Sequence, residues 1–387
     1  MKKLISLLTV SAALLTACNT NSPSTNQTSS SSTGETEITY QYGAEQMFSK
    51  IWESKVIYNE SCVMIEDSNG VKSARLLYSP TRIIAVKNFT LEKDYAPDEY
   101  RIEGDRIYMT EKSTMPYLTQ DNISCKTIPE VIGGSYDDGK GGKILFTEGV
   151  GIVYHQIMVT YEHNGVWQGT IPEKQGNRLP KLQAKLAAKE DIKLVVNGDS
   201  IFTGANSSGK LGIEPFVPGF PEGFQSELNR VYGSNVTLVN TAVGGQVSEW
   251  GRMNVVANVN QYNPDLVIIG FGMNDGSWNI SPFDYCYNID YMVRSIKANC
   301  PNAEIIVAAT ILANPSSSQN KGQANYLPGL KEIVDTYEGV ALLDMTTFSQ
   351  DLLKIKTSFD LYANNINHPC DFMCRSYVAN LMQTVEK

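Results

Sequence analysis

Histidine is scarce in this chain. Only His155, His163 and His368 occur among 387 residues, so a multi-histidine metal site is not expected. The seven cysteines contain no Cys-x-x-Cys pair, which removes zinc-ribbon and thioredoxin-type chemistry. No long basic run is present and the net charge is −9. Phosphate binding needs clustered Lys and Arg, so neither nucleic acid nor a strongly acidic ligand is an expected partner. No metal or other cofactor is expected. What is present is ordinary for a folded protein: 42% hydrophobic and 19% charged residues, which excludes a chain disordered or fibrous throughout. The length exceeds that of one typical core, so two domains are expected.

The first 17 residues read as an address. Lys2 and Lys3 precede an apolar stretch from Leu4 to Leu15, too short to span a bilayer comfortably and therefore like the core of a signal peptide. The stretch ends in Leu15-Thr16-Ala17-Cys18, which resembles the lipobox of bacterial lipoproteins, and this resemblance implies cleavage before Cys18 and acylation of its thiol. A diacyl anchor gives lasting membrane attachment where a single chain does not. Residues 18–38 form an expected tether: of the 18 residues from Asn19 to Thr36, 14 are Ser, Thr or Asn, a composition that buries no core. Its root-mean-square reach is roughly 25 Å. The expected location is extracytoplasmic, on a membrane.

Residues 39–175 read as a β-domain. Short β-rich segments (Val56 to Tyr58, Cys62 to Ile65, Ala74 to Tyr78, Arg82 to Val86, Tyr100 to Ile102, Arg106 to Met109, Lys143 to Phe146 and Ile152 to Tyr161) alternate with turn sequences such as Asp67-Ser68-Asn69-Gly70. This spacing suggests a β-sandwich or jelly roll. His155 and His163 fall inside it and are expected to be sheet residues.

A connector covers residues 176–190, and the rhythm then changes. From 191 to 387, apolar strands (Ile192 to Val196, Val236 to Val239, Leu266 to Phe271, Glu304 to Ala309, Val340 to Leu343) alternate with helical patterns. Continuous apolar strands alternating with helices predict a parallel sheet covered on both faces, a three-layer α/β/α domain with flavodoxin-like order. Ligands of such sheets lie beyond the carboxyl ends of the strands.

Four features fall there. Gly198-Asp199-Ser200 follows the first strand and presents a hydroxyl, although such tripeptides also cap helices. Gly244-Gly245 follows the second, where glycines let backbone N–H groups approach a ligand or simply form a tight turn. Gly272-Met273-Asn274-Asp275 follows the third, where an Asn amide can donate to a developing oxyanion or serve a turn. Asn367-His368-Pro369 lies in a loop before the final helix.

In their order and spacing, Gly198-Asp199-Ser200, Gly245, Gly272-Met273-Asn274-Asp275 and His368-Pro369 resemble the four sequence blocks of the SGNH (GDSL-like) hydrolase superfamily. The order of β-domain then SGNH domain is similar to carbohydrate esterase family two. The resemblance implies Ser200 as nucleophile and His368 as base. It implies oxyanion donors from the backbone of Ser200 and Gly245 and from the Asn274 side chain. Trp250 and Trp278 follow the second and third blocks and are expected either to line the substrate pocket or to pack in the core.

One position departs from the pattern. Many members carry Asp three residues before the His, and here that residue is Asn365. An Asn accepts from an imidazole N–H but supplies no charge. The expectation is a Ser–His dyad with a backbone or amide oxygen orienting His368, and with Asp360 and Asp371 as alternative partners. Among the cysteines, Cys62 with Cys125 is the expected disulfide.

The expected activity is a serine esterase acting on short acyl esters, above all O-acetyl groups of polysaccharide, with an acylated carbohydrate as its partner. The alternatives are a lipid or thioester acylhydrolase and a non-catalytic glycan-binding lipoprotein. Sugar, linkage and oligomeric state are not legible.

Overall fold

A computed structural model describes residues 39–387. The leader, Cys18 and the Ser/Thr-rich tether lie outside the described residues. Among the described residues, no helix is long and apolar enough to cross a membrane.

Among the described residues, nine strands precede the connector: β1 (Val56–Glu66), β2 (Lys72–Arg75), β3 (Pro80–Asn88), β4 (Tyr100–Glu103), β5 (Arg106–Met109), β6 (Tyr117–Leu118), β7 (Ser135–Asp137), β8 (Lys143–Leu145) and β9 (Gln156–His163). Seven of them hydrogen-bond in the order β3-β9-β1-β2-β5-β4, with β6 alongside β1, and β7 and β8 form a separate hairpin. Two expected segments, Val56 to Tyr58 and Cys62 to Ile65, are one 11-residue strand. Its register against β9 shifts between Ile57 and Glu60, where Asn59 takes a left-handed φ of 46°. A short amide side chain tolerates that conformation, and the extra residue bends the strand. His163 ends β9 and stacks on Tyr78 at 3.8 Å, whereas His155 stands in a 3-10 turn just before the strand, its Nδ1 2.8 Å from the Gly151 carbonyl.

Backbone and side-chain polar groups of β1 bond to the second half of the chain. Val63 N donates to the Asp360 carboxylate at 2.6 Å, and Arg375 donates to the carbonyls of Tyr58 and Asn59 at 2.9 and 2.6 Å. Lys356 is wholly buried and reaches Glu60 Oε1 at 2.7 Å, the Arg75 carbonyl at 2.7 Å and Cys62 Sγ at 3.2 Å. Burial works against its charge, yet Cys62, Glu60 and Asp360 outweigh burial and hold its pKa above the usual lysine range. Through these bonds Thr39–Lys387 forms one compact unit.

The six described cysteines are free thiols, so the expected Cys62–Cys125 bridge is not formed. Cys62 faces Lys356 inside β1, whereas Cys125 sits half-buried just past the short helix Gln120–Ile123.

Beyond the connector helix Pro180–Ala188, five parallel strands β10 (Ile192–Gly198), β11 (Val236–Asn240), β12 (Leu266–Gly270), β13 (Glu304–Ala309) and β14 (Val340–Asp344) run in the order β11-β10-β12-β13-β14. This is the expected flavodoxin-like order. β12 and β13 are buried at every residue, as strands covered on both faces must be. Helices Phe220–Tyr232 and Asp371–Val385 pack together, as do helices Ser248–Asn258, Pro282–Asn299 and Leu327–Thr336. The chain reverses its direction of winding between β10 and β12, which opens a crevice at their carboxyl ends.

Removing one partner of a buried ion pair strands the other. We expect Lys356→Ala to lower the unfolding free energy by about 3–5 kcal/mol in urea titrations, and Lys356→Met combined with Glu60→Gln to recover much of the loss. Equal stability of Lys356→Ala and wild type would show that this contact does not hold the two halves together.

Candidate functional site

Ser200 stands two residues past the carboxyl end of β10. The end of the strand pair that carries it has no room for side chains. Gly198 and Gly270 are directly opposite across β10 and β12, and a Cβ on Gly198 would lie 2.3 Å from the Gly270 carbonyl oxygen. The Phe202 ring occupies the space a Cβ on Gly270 would need, at 2.1 Å. Glycine at both positions lets the turn fold back over the strands and aim Ser200 at the crevice.

The second block is drawn to the first by backbone bonds. Thr241 N and Val243 N donate to the carbonyls of Val196 and Gly198 at 2.8 and 2.9 Å. Gly244 thereby comes close to Ser200: a Cβ placed on it would lie 3.7 Å from Ser200 Cβ. Gly245 follows in a left-handed conformation, φ 78°, and is exposed. The third block is tied to the second. Asn274 Nδ2 donates one hydrogen to the Gln246 carbonyl at 2.9 Å, which orients the other. Asp275 accepts from Ser248 N at 3.0 Å and from Ser248 Oγ at 2.5 Å.

His368 closes the site. Its Nε2 lies 2.9 Å from Ser200 Oγ. Its Nδ1 faces two oxygens, Asn206 Oδ1 at 2.6 Å and Glu148 Oε2 at 3.1 Å. Two acceptors at Nδ1 place the ring hydrogen there, so the Nε2 lone pair faces the serine hydroxyl. The loop is held by Asn364, whose Oδ1 accepts from the backbone N–H of Ile366, Asn367 and His368 at 2.9–3.0 Å.

Asn365 does not orient the imidazole. It adopts a left-handed φ of 62° and turns away, donating to the Leu145 carbonyl at 2.8 Å and accepting from Ser358 Oγ at 2.8 Å. It pins the histidine loop to β8. The two alternative carboxylates are also engaged elsewhere: Asp360 with Val63 and Thr357, and Asp371 with Ser208 N at 2.8 Å.

Asn206 and Glu148 were not singled out from the sequence. Asn206 lies six residues beyond Ser200 in an irregular loop, and Glu148 lies 220 residues before His368 in the β-domain. No spacing rule joins either to the histidine. Of the two tryptophans, Trp250 tilts against Phe271 with ring centroids 6.5 Å apart, which is core packing. Trp278 is 67% exposed just past the short helix Met273–Ser277 that carries Asn274.

The charges are uneven. Burial works against ionisation of Glu148, but the hydrogen bond and charge of His368, with the amides of Asn364 and Asn206, hold its carboxyl below the usual range. Asp199 is the opposite case. Complete burial, relieved in part by the N–H of Ile201 and worsened by Asp275, pushes it up to about 7. Among the described residues no group of three or more His, Cys, Asp or Glu side chains could hold a metal ion.

A hydroxyl, a base at hydrogen-bond distance and backbone and amide donors around the same crevice are the parts of an acyl-transfer site. Residues 196–369 match the model of the GDSL-like lipase/acylhydrolase family. The match covers most of the α/β domain. An arylesterase of Vibrio mimicus is 28% identical over 116 residues, 30% of this chain and 54% of the relative, so the chain spans about half the length of the curated relative it matches. Among solved structures, a two-domain esterase active on acetylated mannans is similar at 18% identity and a TM-score of 0.43, covering 55% of this chain and 53% of that one. An acetylxylan esterase of Geobacillus stearothermophilus is similar at 19% identity and a TM-score of 0.40, covering 48% and 91%. The matched region carries its serine and histidine within hydrogen-bonding distance, while one of the two oxygens facing the histidine Nδ1 comes from the β-domain.

The carboxyl of Asp199 gives a test by pH. Its folded-state value, about 7, lies above the roughly 3.9 of an unfolded chain. Its contribution to stability is therefore complete below about pH 4 and lost as pH rises through 7. Asp199→Asn keeps an acceptor for Ile201 N. We expect its melting temperature, relative to wild type, to climb between pH 5 and 8. A difference that is flat over that range would show that Asp199 does not titrate there.

Proposed function

We propose that this protein is a serine carboxylic ester hydrolase for short acyl esters, foremost O-acetyl groups on polysaccharide. The observation that carries the reading is the 2.9 Å contact between His368 Nε2 and Ser200 Oγ at the mouth of the sheet crevice. In the attack, the Ser200 proton passes to Nε2 as the Oγ–carbon bond forms, and the carbonyl electrons move to oxygen. The N–H groups of Ser200 and Gly245 and the free hydrogen of the Asn274 amide receive that oxyanion. Collapse expels the alcohol, which takes the proton back from His368, and water then releases the acyl group by the same steps.

The surroundings favour a short acyl group. A long chain needs an apolar channel, and the side chains that meet the His368 ring beside Ser200 are the polar Asn206 and Glu148, with Asn364 bonded to the His368 backbone. Exposed Trp278 offers a flat apolar face beside the oxyanion donor, suited to the C–H face of a sugar. The address at Cys18 is part of the same proposal: a lipid anchor outside the cytoplasm puts the enzyme beside extracellular polysaccharide.

Hydrolysis of p-nitrophenyl acetate tests the reading. Ser200→Ala and His368→Ala should each lower kcat by at least ~10³, with the double variant little worse, because the two act in one step. Asn274→Ala should cost roughly 10²–10³ in kcat with little change in KM, since its donor matters most as charge develops. Turnover that rises with acyl length through octanoate would instead mark a lipid acylhydrolase, and turnover unchanged in Ser200→Ala would end the serine mechanism.

A further inference from the structure

The α/β domain holds a serine and a base but no carboxylate on that base. Asn365 occupies the place three residues before the histidine and points at β8. Asp360 and Asp371 are spent on backbone N–H groups elsewhere. The groups that face the imidazole come from three places: Ser200 from the turn after β10, Asn206 from the loop beyond it, and Glu148 from the segment after β8. Among these, Glu148 alone carries charge.

We propose that Glu148, contributed by the β-domain, is the positioning residue that gives His368 its negative charge, so that the triad of this enzyme is assembled from both halves of the chain.

Glu148 is built in rather than adjacent by chance. Its backbone carbonyl accepts from Asn206 Nδ2 at 2.9 Å, and that same Asn206 offers its Oδ1 to the imidazole at 2.6 Å. The second carboxylate oxygen of Glu148 accepts from Asn364 Nδ2 at 3.3 Å, and Asn364 fixes the histidine backbone. Glu148, Asn206, His368 and Asn364 therefore close a ring. Three residues earlier, the Leu145 carbonyl accepts from Asn365. The residue that usually supplies the charge thus docks the segment that supplies it here. The two Nδ1 acceptors divide the work. Buried Asn206 sets the ring orientation without charge, and Glu148, with its side chain 56% exposed, stabilises the imidazolium that forms when Ser200 gives up its proton.

This inference rests on the esterase reading, and its test separates the two. The measurement is the NMR titration of the His368 imidazole, assigned by its loss in His368→Gln, in wild type, Glu148→Gln and Glu148→Asp. A nearby negative charge favours imidazolium, so removing it in Glu148→Gln should move the His368 titration to lower pH, while Glu148→Asp keeps a charge on the same side. In the same variants kcat on p-nitrophenyl acetate should fall about ten- to a hundredfold for Glu148→Gln. The acidic limb of its profile should also move to lower pH. Loss of placement alone would reduce kcat and leave the limb where it is. Coincident His368 titrations in wild type and Glu148→Gln would overturn the role of Glu148 even with full esterase activity. A shifted titration in a protein without Ser200-dependent turnover would keep the charge contact and overturn the esterase reading.

Discussion

The site depends on one imidazole being held at both nitrogens. His368 can take a proton from Ser200 only while Nε2 is bare and Nδ1 carries the hydrogen. Two oxygen acceptors at Nδ1 impose that tautomer, and a loop whose three backbone N–H groups converge on Asn364 fixes the ring in place. The rest of the architecture serves this contact. The glycine pair across β10 and β12 allows the serine turn to fold over the sheet, and the bonds from the segment after β11 to β10 bring Gly244 alongside.

The β-domain is part of the same machine. β1 is stitched to the α/β half by Glu60, Val63 and the carbonyls of Tyr58 and Asn59, which meet Lys356, Asp360 and Arg375. The β7–β8 hairpin meets it again, where Gln319 donates to Tyr136 Oη at 2.9 Å and Ser318 N to the Asp137 carbonyl at 3.1 Å. A carboxylate carried on one half can reach a histidine on the other only if the two halves keep their relative position, and buried ionic and backbone contacts of this kind maintain it.

Much of this was legible in the sequence, for a physical reason. A parallel strand buried on both faces is a near-continuous apolar run, so Leu266–Gly270 and, beyond its first residue, Glu304–Ala309 announce themselves, and the ends of such strands are where ligands sit. Ser200 and His368 are local features of those ends. What was not legible is long-range. β1 reads as two short strands because Asn59 and Glu60 interrupt its apolar run, although both are buried by partners more than a hundred residues away. Asn365 looked like a defective aspartate because its spacing to His368 fits, and only its left-handed backbone turns it toward Leu145. Cys62 looked like half of a disulfide because nothing in its neighbourhood reveals the buried ammonium that it faces. Glu148 is an ordinary exposed glutamate in sequence, and its meaning comes from a contact across 220 residues.

The most direct test of the central claim is covalent. An organophosphorus fluoride such as diisopropyl fluorophosphate reacts with a serine that a neighbouring base activates. Intact-mass and peptide mass spectrometry of the treated full chain should show one adduct, located on Ser200, formed rapidly in wild type and lost in His368→Ala. No adduct at Ser200, or one formed equally fast without His368, would contradict the account.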